Sequence, residues 1–393
     1  MRILVYPNRL TVGGLQIIAI ELAAAVRDRG HEVVVFCGSG PLVQLIRERR
    51  LRFVPGDVPR RPRPSPRVMR ALRRLVERER IDLVHAHGTA AALEAFYGAH
   101  LLAGVPTVAS HMTSTAIPRH LPTTIPLVVG TREIQEAAQP TRAGRVELLE
   151  PPVNTEEDHP SVDGSAFRRA HGLDDGRLNV VVVSRLSPHL KQEGLERAID
   201  AVASLAEEEP ARLVIVGDGE SRRALAERAD RVNRRLGWTA VVMIGELLDP
   251  RPAYAAADVV LGMGGSILRG MAFGKPAIVL GQGGFSEVLE PATIDRFLIQ
   301  GFYGLGNGNG SAFRDQLGWL LRDASRRREL SGFSRRIVCE RFSLGAAAER
   351  LEALYGHVIT GRVDKRTTIK DGIDTAARLA RHKLTKLPGL VPS

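Results

Sequence analysis

Aromatic residues are scarce, at 5% of the 393 residues. That leaves little material for a base-stacking platform and argues against nucleic acid as a partner. The two cysteines, Cys37 and Cys339, stand far apart without metal-ligand spacing, so neither a disulfide framework nor a zinc finger is expected. No run of about 18 uninterrupted apolar residues occurs, which excludes a membrane-spanning helix. Met1-Arg2 leads straight into the strand-like Ile3 to Tyr6, not into a signal-peptide pattern, and the expected location is cytoplasmic. What remains is ordinary globular material, 44% hydrophobic and 25% charged, with room for two to three domains. Lys and Arg number 55 against 44 Asp and Glu, a net charge of +11. That excess favours anionic partners such as phosphorylated small molecules or membrane surfaces.

Short apolar runs alternate with helical spacing through both halves of the chain. In the first half, Glu32 to Phe36, Asp82 to His85 and Thr107 to Ala109 read as strands, and Leu15 to Arg29 as a helix stopped at Gly30. In the second half the strands are Val180 to Val183, Leu213 to Val216, Val241 to Ile244, Val259 to Leu261 and Ala277 to Leu280. β-branched runs broken by helices imply βαβ units and buried parallel sheets. The stretch Glu150 to Asp175, with three prolines and several acids, reads as a linker. The expected architecture is two doubly wound, Rossmann-like α/β domains facing a cleft. The first spans 1–160 and the second 176–345, with a helix crossing back over 346–361 and a basic tail over 362–393.

Open parallel sheets bind ligands beyond the carboxyl ends of their strands. Gly13 and Gly14 follow the first strand and open the first helix. They either let phosphate approach backbone N–H groups or serve a tight turn. Arg185 and Lys191 leave the first strand of the second domain, where two cations can clamp a diphosphate. Gly217 lies in the glycine-rich turn after the next strand, which either lets a ligand approach or is simply a turn, and it is counted with the substrate-binding residues. Gly262, Gly264, Gly265 and Ser266 form a glycine-rich approach to the helix carrying Arg269, a cradle for an anion or hydroxyl. Arg269 falls near the start of that helix, where a cation opposes the helix dipole. It is expected to face a bound diphosphate or ribose, the alternative being a pair with Glu287 or Glu290. His111 follows the strand Thr107 to Ala109. His85 and His87 read as structural. The tail carries eight Lys/Arg against three Asp, with apolar residues at helical spacing. It either lies on an anionic membrane or packs on its own protein.

Taken in order, several segments resemble the retaining GT-B glycosyltransferases of family 4. They are GGLQ with ELAAAVRDRGHEVVV, DLVHAH, VASH, LLEPPVNTEE, VVSRLSPHLKQEGLERAIDA, LVIVGDGE, YAAADVVLGMG, MAFGKPAIV, GGFSE and FSLGAAAERLEALY. The resemblance implies sugar transfer from a nucleotide-diphosphate donor with retention, without metal and without a cofactor beyond that co-substrate. The acceptor would be a small molecule or lipid-linked. By resemblance Arg185 and Lys191 neutralise the leaving diphosphate and His111 touches the donor sugar. Gly13 and Gly14 match the loop at the diphosphate and acceptor, and Glu287 of GGFSE joins the substrate-binding set.

The chain departs from the family pattern where two glutamates are usual, holding Leu261 and Arg269 instead. No Asp or Glu lies between Asp258 and Glu287. The Lys191–Gly194 segment is two residues longer than the family's, and Asn154 replaces the usual aspartate. Three functions follow: an active glycosyltransferase, a catalytically silent sugar-nucleotide-binding protein, and a nucleotide-sugar epimerase. The last is disfavoured because proton transfer needs carboxylates that this stretch lacks.

Overall fold

The computed structural model describes residues 1–60, 64–113, 115–306, 312–361 and 364–385. The chain forms two compact units, Met1–Pro151 with Leu344–Ser393, and Pro152–Ser343. The dividing points fall at 151/152 and 343/344. The proline-rich segment after Glu150 therefore belongs to the second unit and is not a separate linker.

The first unit is built on β1 (Arg2–Tyr6), β2 (Glu32–Cys37), β3 (Arg52–Pro55), β4 (Leu83–His87), β5 (Thr107–His111), β6 (Leu127–Val129) and β7 (Val146–Leu148). They pair side by side in the order β3-β2-β1-β4-β5-β6-β7, all parallel. β6 and β7 are three-residue strands that local periodicity does not single out. The helix Gly14–Asp28 follows β1 and buries Ala19, Ile20, Leu22, Ala23 and Val26, the apolar stripe of its sequence. Leu344–Thr360 returns to this unit and buries Ala347, Ala348, Leu351, Leu354 and Tyr355 in its core. The return is pinned at the middle of the helix, one turn apart, by Glu352 and Tyr355. Glu352 accepts hydrogen bonds from Arg29 at 2.6 Å and meets His31 at 2.9 Å. The Tyr355 hydroxyl lies 2.6 Å from His85 Nδ1, whose Nε2 lies 2.7 Å from the Ser110 hydroxyl.

The second unit contains β8 (Leu178–Val183), β9 (Ala211–Val216), β10 (Val241–Gly245), β11 (Val259–Gly262), β12 (Ala277–Leu280) and β13 (Ser286–Val288). The order is β10-β9-β8-β11-β12-β13, parallel except for the antiparallel edge strand β13. The near-continuous Val/Ile/Leu content of β8, β9 and β11 is what a sheet buried on both faces requires. The chain runs outward from β8 through β9 to β10, then restarts on the other side of β8 with β11. The strand order therefore reverses between β8 and β11, and the crevice beyond their carboxyl ends is where such a sheet receives a ligand.

The tail is helical over Lys365–Leu384 and packs on the first unit. The ends of the 362–393 stretch, residues 362–363 and 386–393, lie outside the described residues, as does part of the Arg- and Pro-rich loop around residues 61–63. No described helix is long and apolar enough to cross a membrane.

Candidate functional site

Three loops leave adjacent parallel strands at the same edge of the second sheet. Ser184 to Lys191 follows β8, Gly217 follows β9, and Gly262 to Ser266 follows β11. The β8 loop folds back as a tight unit, with Leu186 buried and its N–H bonded to the Asp218 carbonyl at 2.9 Å. Immediately before Lys191, Leu190 adopts φ +70° with its side chain 44% exposed. A branched residue in the left-handed region costs roughly 1–2 kcal/mol, so the surrounding loop enforces this conformation. Strain of this kind clusters at ligand-holding segments.

Lys191 is partly buried. Burial and the neighbouring Arg185 guanidinium lower its ammonium from 10.5 to about 8. Among the described residues its ammonium has no hydrogen-bond or ion-pair partner. The nearest sequence candidate for a counter-charge, Glu193, is occupied elsewhere. Its carboxylate accepts from the Gly283 and Gly284 N–H groups at 3.1 and 2.7 Å. Two cations thus stand together at the crevice, one of them pushed toward neutrality, an arrangement that an anion would relieve.

The β11 loop supplies backbone. Gly264, at φ +59° and ψ −140°, directly precedes the helix Gly265–Ala272, and its N–H donates to the Phe302 carbonyl at 2.5 Å. A Cβ at Gly265 would meet nothing within 4 Å, so the first residue of this helix opens onto free space. The Ser266 hydroxyl is turned inward, donating to the Met263 carbonyl at 3.0 Å. Gly217 has a different use. At φ +141° its missing side chain leaves room for the Ser184 carbonyl, which a Cβ would overlap. That space is filled by the protein's own β8 loop, in keeping with the turn.

Arg269 corrects an expectation. The helix ends at Ala272, so Arg269 sits in its last turn, where a cation is favourable to the dipole. Its counter-charge is neither Glu287, which pairs with Arg296, nor Glu290, which pairs with Arg326. It is Asp158, a buried carboxylate held by a two-pronged pair, Nε to Oδ2 and Nη2 to Oδ1, both 2.8 Å. Arg335 fastens the same turn from another side, donating to the carbonyls of Asp158 and Thr155, each at 2.9 Å. Asn154 shapes that turn by accepting from the Glu156 and Glu157 N–H groups at 3.3 and 3.2 Å, a role asparagine fills as well as aspartate. Sequence reasoning missed Asp158 altogether. The other departure, Leu261, is fully buried in β11, so the side chain at that position belongs to the core. Glu287 lies on the edge strand β13, opposite Val279.

In the first unit the order reverses between β1 and β4. Gly13 caps the helix that follows β1, and Gly14 has open space where a Cβ would stand. His111 is the buried last residue of β5. Its Nε2 lies 2.9 Å from the Thr115 carbonyl and 3.0 Å from the Thr113 hydroxyl. A carbonyl only accepts, so Nε2 carries a proton in this contact. His85 lies inside β4 and His87 is its last residue, and both are buried. Burial lowers both, His87 to about 3, and they are neutral structural groups.

Two doubly wound sheets in one chain are the building blocks of the GT-B architecture, and the comparison with known proteins assigns the class. A family model described as Glycosyltransferase Family 4 matches residues 12–123, and one described as Glycosyl transferases group 1 matches residues 177–323. The chain belongs to the GT-B glycosyltransferases. Its fold is similar to that of a glycosyltransferase from Rickettsia africae, at 14% identity and a TM-score of 0.73 over 92% of this chain and 99% of that one. It is similar as well to the Anabaena protein HepE in complex with UDP-glucose, at 19% identity and a TM-score of 0.68 over 91% of this chain and 99% of that one. In sequence, an uncharacterized glycosyltransferase of Methanocaldococcus jannaschii is 31% identical over 132 residues, which span 32% of each chain.

Proposed function

We propose that the protein transfers a sugar from a nucleoside-diphosphate sugar to a small or lipid-linked acceptor, with retention at the anomeric carbon and in the cytoplasm. The observation that carries this reading is the pair Arg185 and Lys191. A lysine whose charge is disfavoured, set beside an arginine at the switch point, costs the folded protein free energy unless an anion arrives. As the glycosidic bond breaks, negative charge grows on the leaving diphosphate. Fixed cations stabilise that charge most in the transition state. The open N-terminus at Gly265 is suited to the same anion. In the first unit, His111 is assigned to the sugar and the Gly13–Gly14 turn to the acceptor side by the family resemblance. No metal is invoked, because two cations already perform the neutralisation.

One observation favours a second reading, a silent sugar-nucleotide-binding protein. Leu261 is closed into the core and Arg269 is engaged with Asp158, so neither position offers a carboxylate to a donor. Nucleotide binding and turnover must therefore be read separately. Thermal shift with UDP, GDP, ADP and dTDP reports binding. A ligand at about 100 times its dissociation constant stabilises by about 2.7 kcal/mol. Release of the same nucleoside diphosphate from its sugar conjugate, with an acceptor panel, reports turnover. Binding with turnover supports the transferase, and binding without turnover on any acceptor supports the silent protein. Failure of all four nucleotides to bind would remove both.

A further inference from the structure

The helix Lys365–Leu384 is packed the opposite way from an ordinary amphipathic helix. Its buried residues are Thr368, Asp371, Gly372 and Thr375. Three of its four large apolar residues face out, Ile369 at 54% exposed, Ile373 at 66% and Leu384 at 54%, and Leu379 is half-buried. Surface helices normally bury the apolar stripe.

Polar contacts explain the orientation. Asp371 accepts from the Thr123 and Thr124 N–H groups at 2.8 and 2.9 Å, and from both threonine hydroxyls at 3.0 and 2.8 Å. Arg378 donates to Asp371 at 3.2 Å and to Thr375 at 2.9 Å from the same face. The Gly372 carbonyl accepts from the Tyr97 hydroxyl at 2.8 Å, and a Cβ at Gly372 would sit 3.3 Å from Leu101. This set of bonds fixes the rotation of the helix about its axis and leaves the isoleucines outside.

Positions 369, 373, 376, 380 and 384 follow at intervals of three and four, so Ile369, Ile373, Ala376, Ala380 and Leu384 form one exposed stripe. At 100° per residue, Lys370 and Arg381 border the stripe on one side and Lys365 and Lys383 on the other. All four are exposed. The described helix holds six Lys/Arg against two Asp, one of which is the buried Asp371. An apolar stripe between two rows of cations matches an interface of hydrocarbon beneath anionic headgroups.

We propose that this face docks the protein on an anionic lipid surface, lying in the headgroup plane without spanning the bilayer. The proposal stands independently of the transfer reaction, since it uses none of the residues assigned to nucleotide binding. The full-length chain is sedimented with vesicles of phosphatidylcholine plus phosphatidylglycerol, and with phosphatidylcholine alone. Binding is expected to the mixed vesicles, to be weak on the neutral ones, and to fall as salt rises. The double substitution Ile369→Asp/Ile373→Asp should weaken binding at least about tenfold while leaving the circular dichroism spectrum unchanged, because both side chains are exposed. Lys370→Glu/Lys383→Glu should lose the preference for anionic vesicles. Equal sedimentation on both vesicle types, no sedimentation of the full chain, or unaltered binding by the isoleucine double variant overturns the proposal. A dimer abolished by that variant, without vesicle binding, assigns the face to a second copy and overturns it too.

Discussion

Replacing Lys191 by methionine keeps most of the apolar stem of the side chain and removes its charge. In the folded protein the ammonium titrates at about 8, against 10.5 for an unperturbed lysine. A difference of one unit corresponds to about 1.4 kcal/mol, so keeping this group charged costs the fold about 3 kcal/mol. The sign follows from proton binding. Between pH 8 and 10.5 the unfolded chain holds more protons at this site than the folded one, so stability recovers as pH rises through that window. Below pH 8 the whole cost is present. Lys191→Met should therefore stabilise the second unit at pH 7 by up to about 3 kcal/mol, raising its thermal midpoint by roughly 6–12 °C. The gain should shrink above pH 8 and vanish near 10.5. Binding behaves in the opposite way, and the variant should lose nucleoside diphosphate. In the wild-type protein, a bound diphosphate restores the lysine's proton. At pH 8 binding should then take up about half a proton per nucleotide, read by calorimetry in two buffers of different ionisation enthalpy. A methionine variant that is no more stable and binds as before would refute the assignment of Lys191 to an anion site.

The pair Arg269–Asp158 gives a contrasting expectation. Arg269→Glu places a second carboxylate against a buried one and should destabilise by roughly 3–5 kcal/mol in urea denaturation, whereas joint replacement by Arg269→Met/Asp158→Leu should cost much less. If Arg269→Glu is as stable as wild type, the pair is not structural. Leu190→Gly relieves the left-handed strain and should raise stability by about 1 kcal/mol while loosening the loop and weakening nucleotide affinity. Thermal shift with and without UDP reads both effects, and a loss of stability would contradict the strain. Gly217→Ala forces a methyl into the Ser184 carbonyl and should cost about 3 kcal/mol or more, measured by equilibrium unfolding.

The alternation of β-branched runs with helical periodicity was enough to predict two doubly wound units. It depends on spacing along the chain, and a strand of four or five consecutive apolar residues has few other places to go. The cations Arg185 and Lys191 and the glycines of the β11 loop were legible for the same reason, since a strand's carboxyl end is a position in sequence. β6, β7 and β13 were not, because a three-residue strand owes its existence to the neighbour it pairs with. Arg269 shows where local reading fails. Its helix begins at Gly265 and ends at Ala272, which puts Arg269 in the last turn and reverses its relation to the dipole, and its partner lies 111 residues away. The tail's helical spacing was equally plain, but spacing names an apolar stripe without saying which way it faces. Four bonds to Asp371 decided that, and they exist only because Thr123 and Thr124 are brought beneath it by the folded first unit. Periodicity is a nearest-neighbour property that the sequence carries alone. The choice of partner for a buried charge is made by distant segments, and only the tertiary structure brings them together.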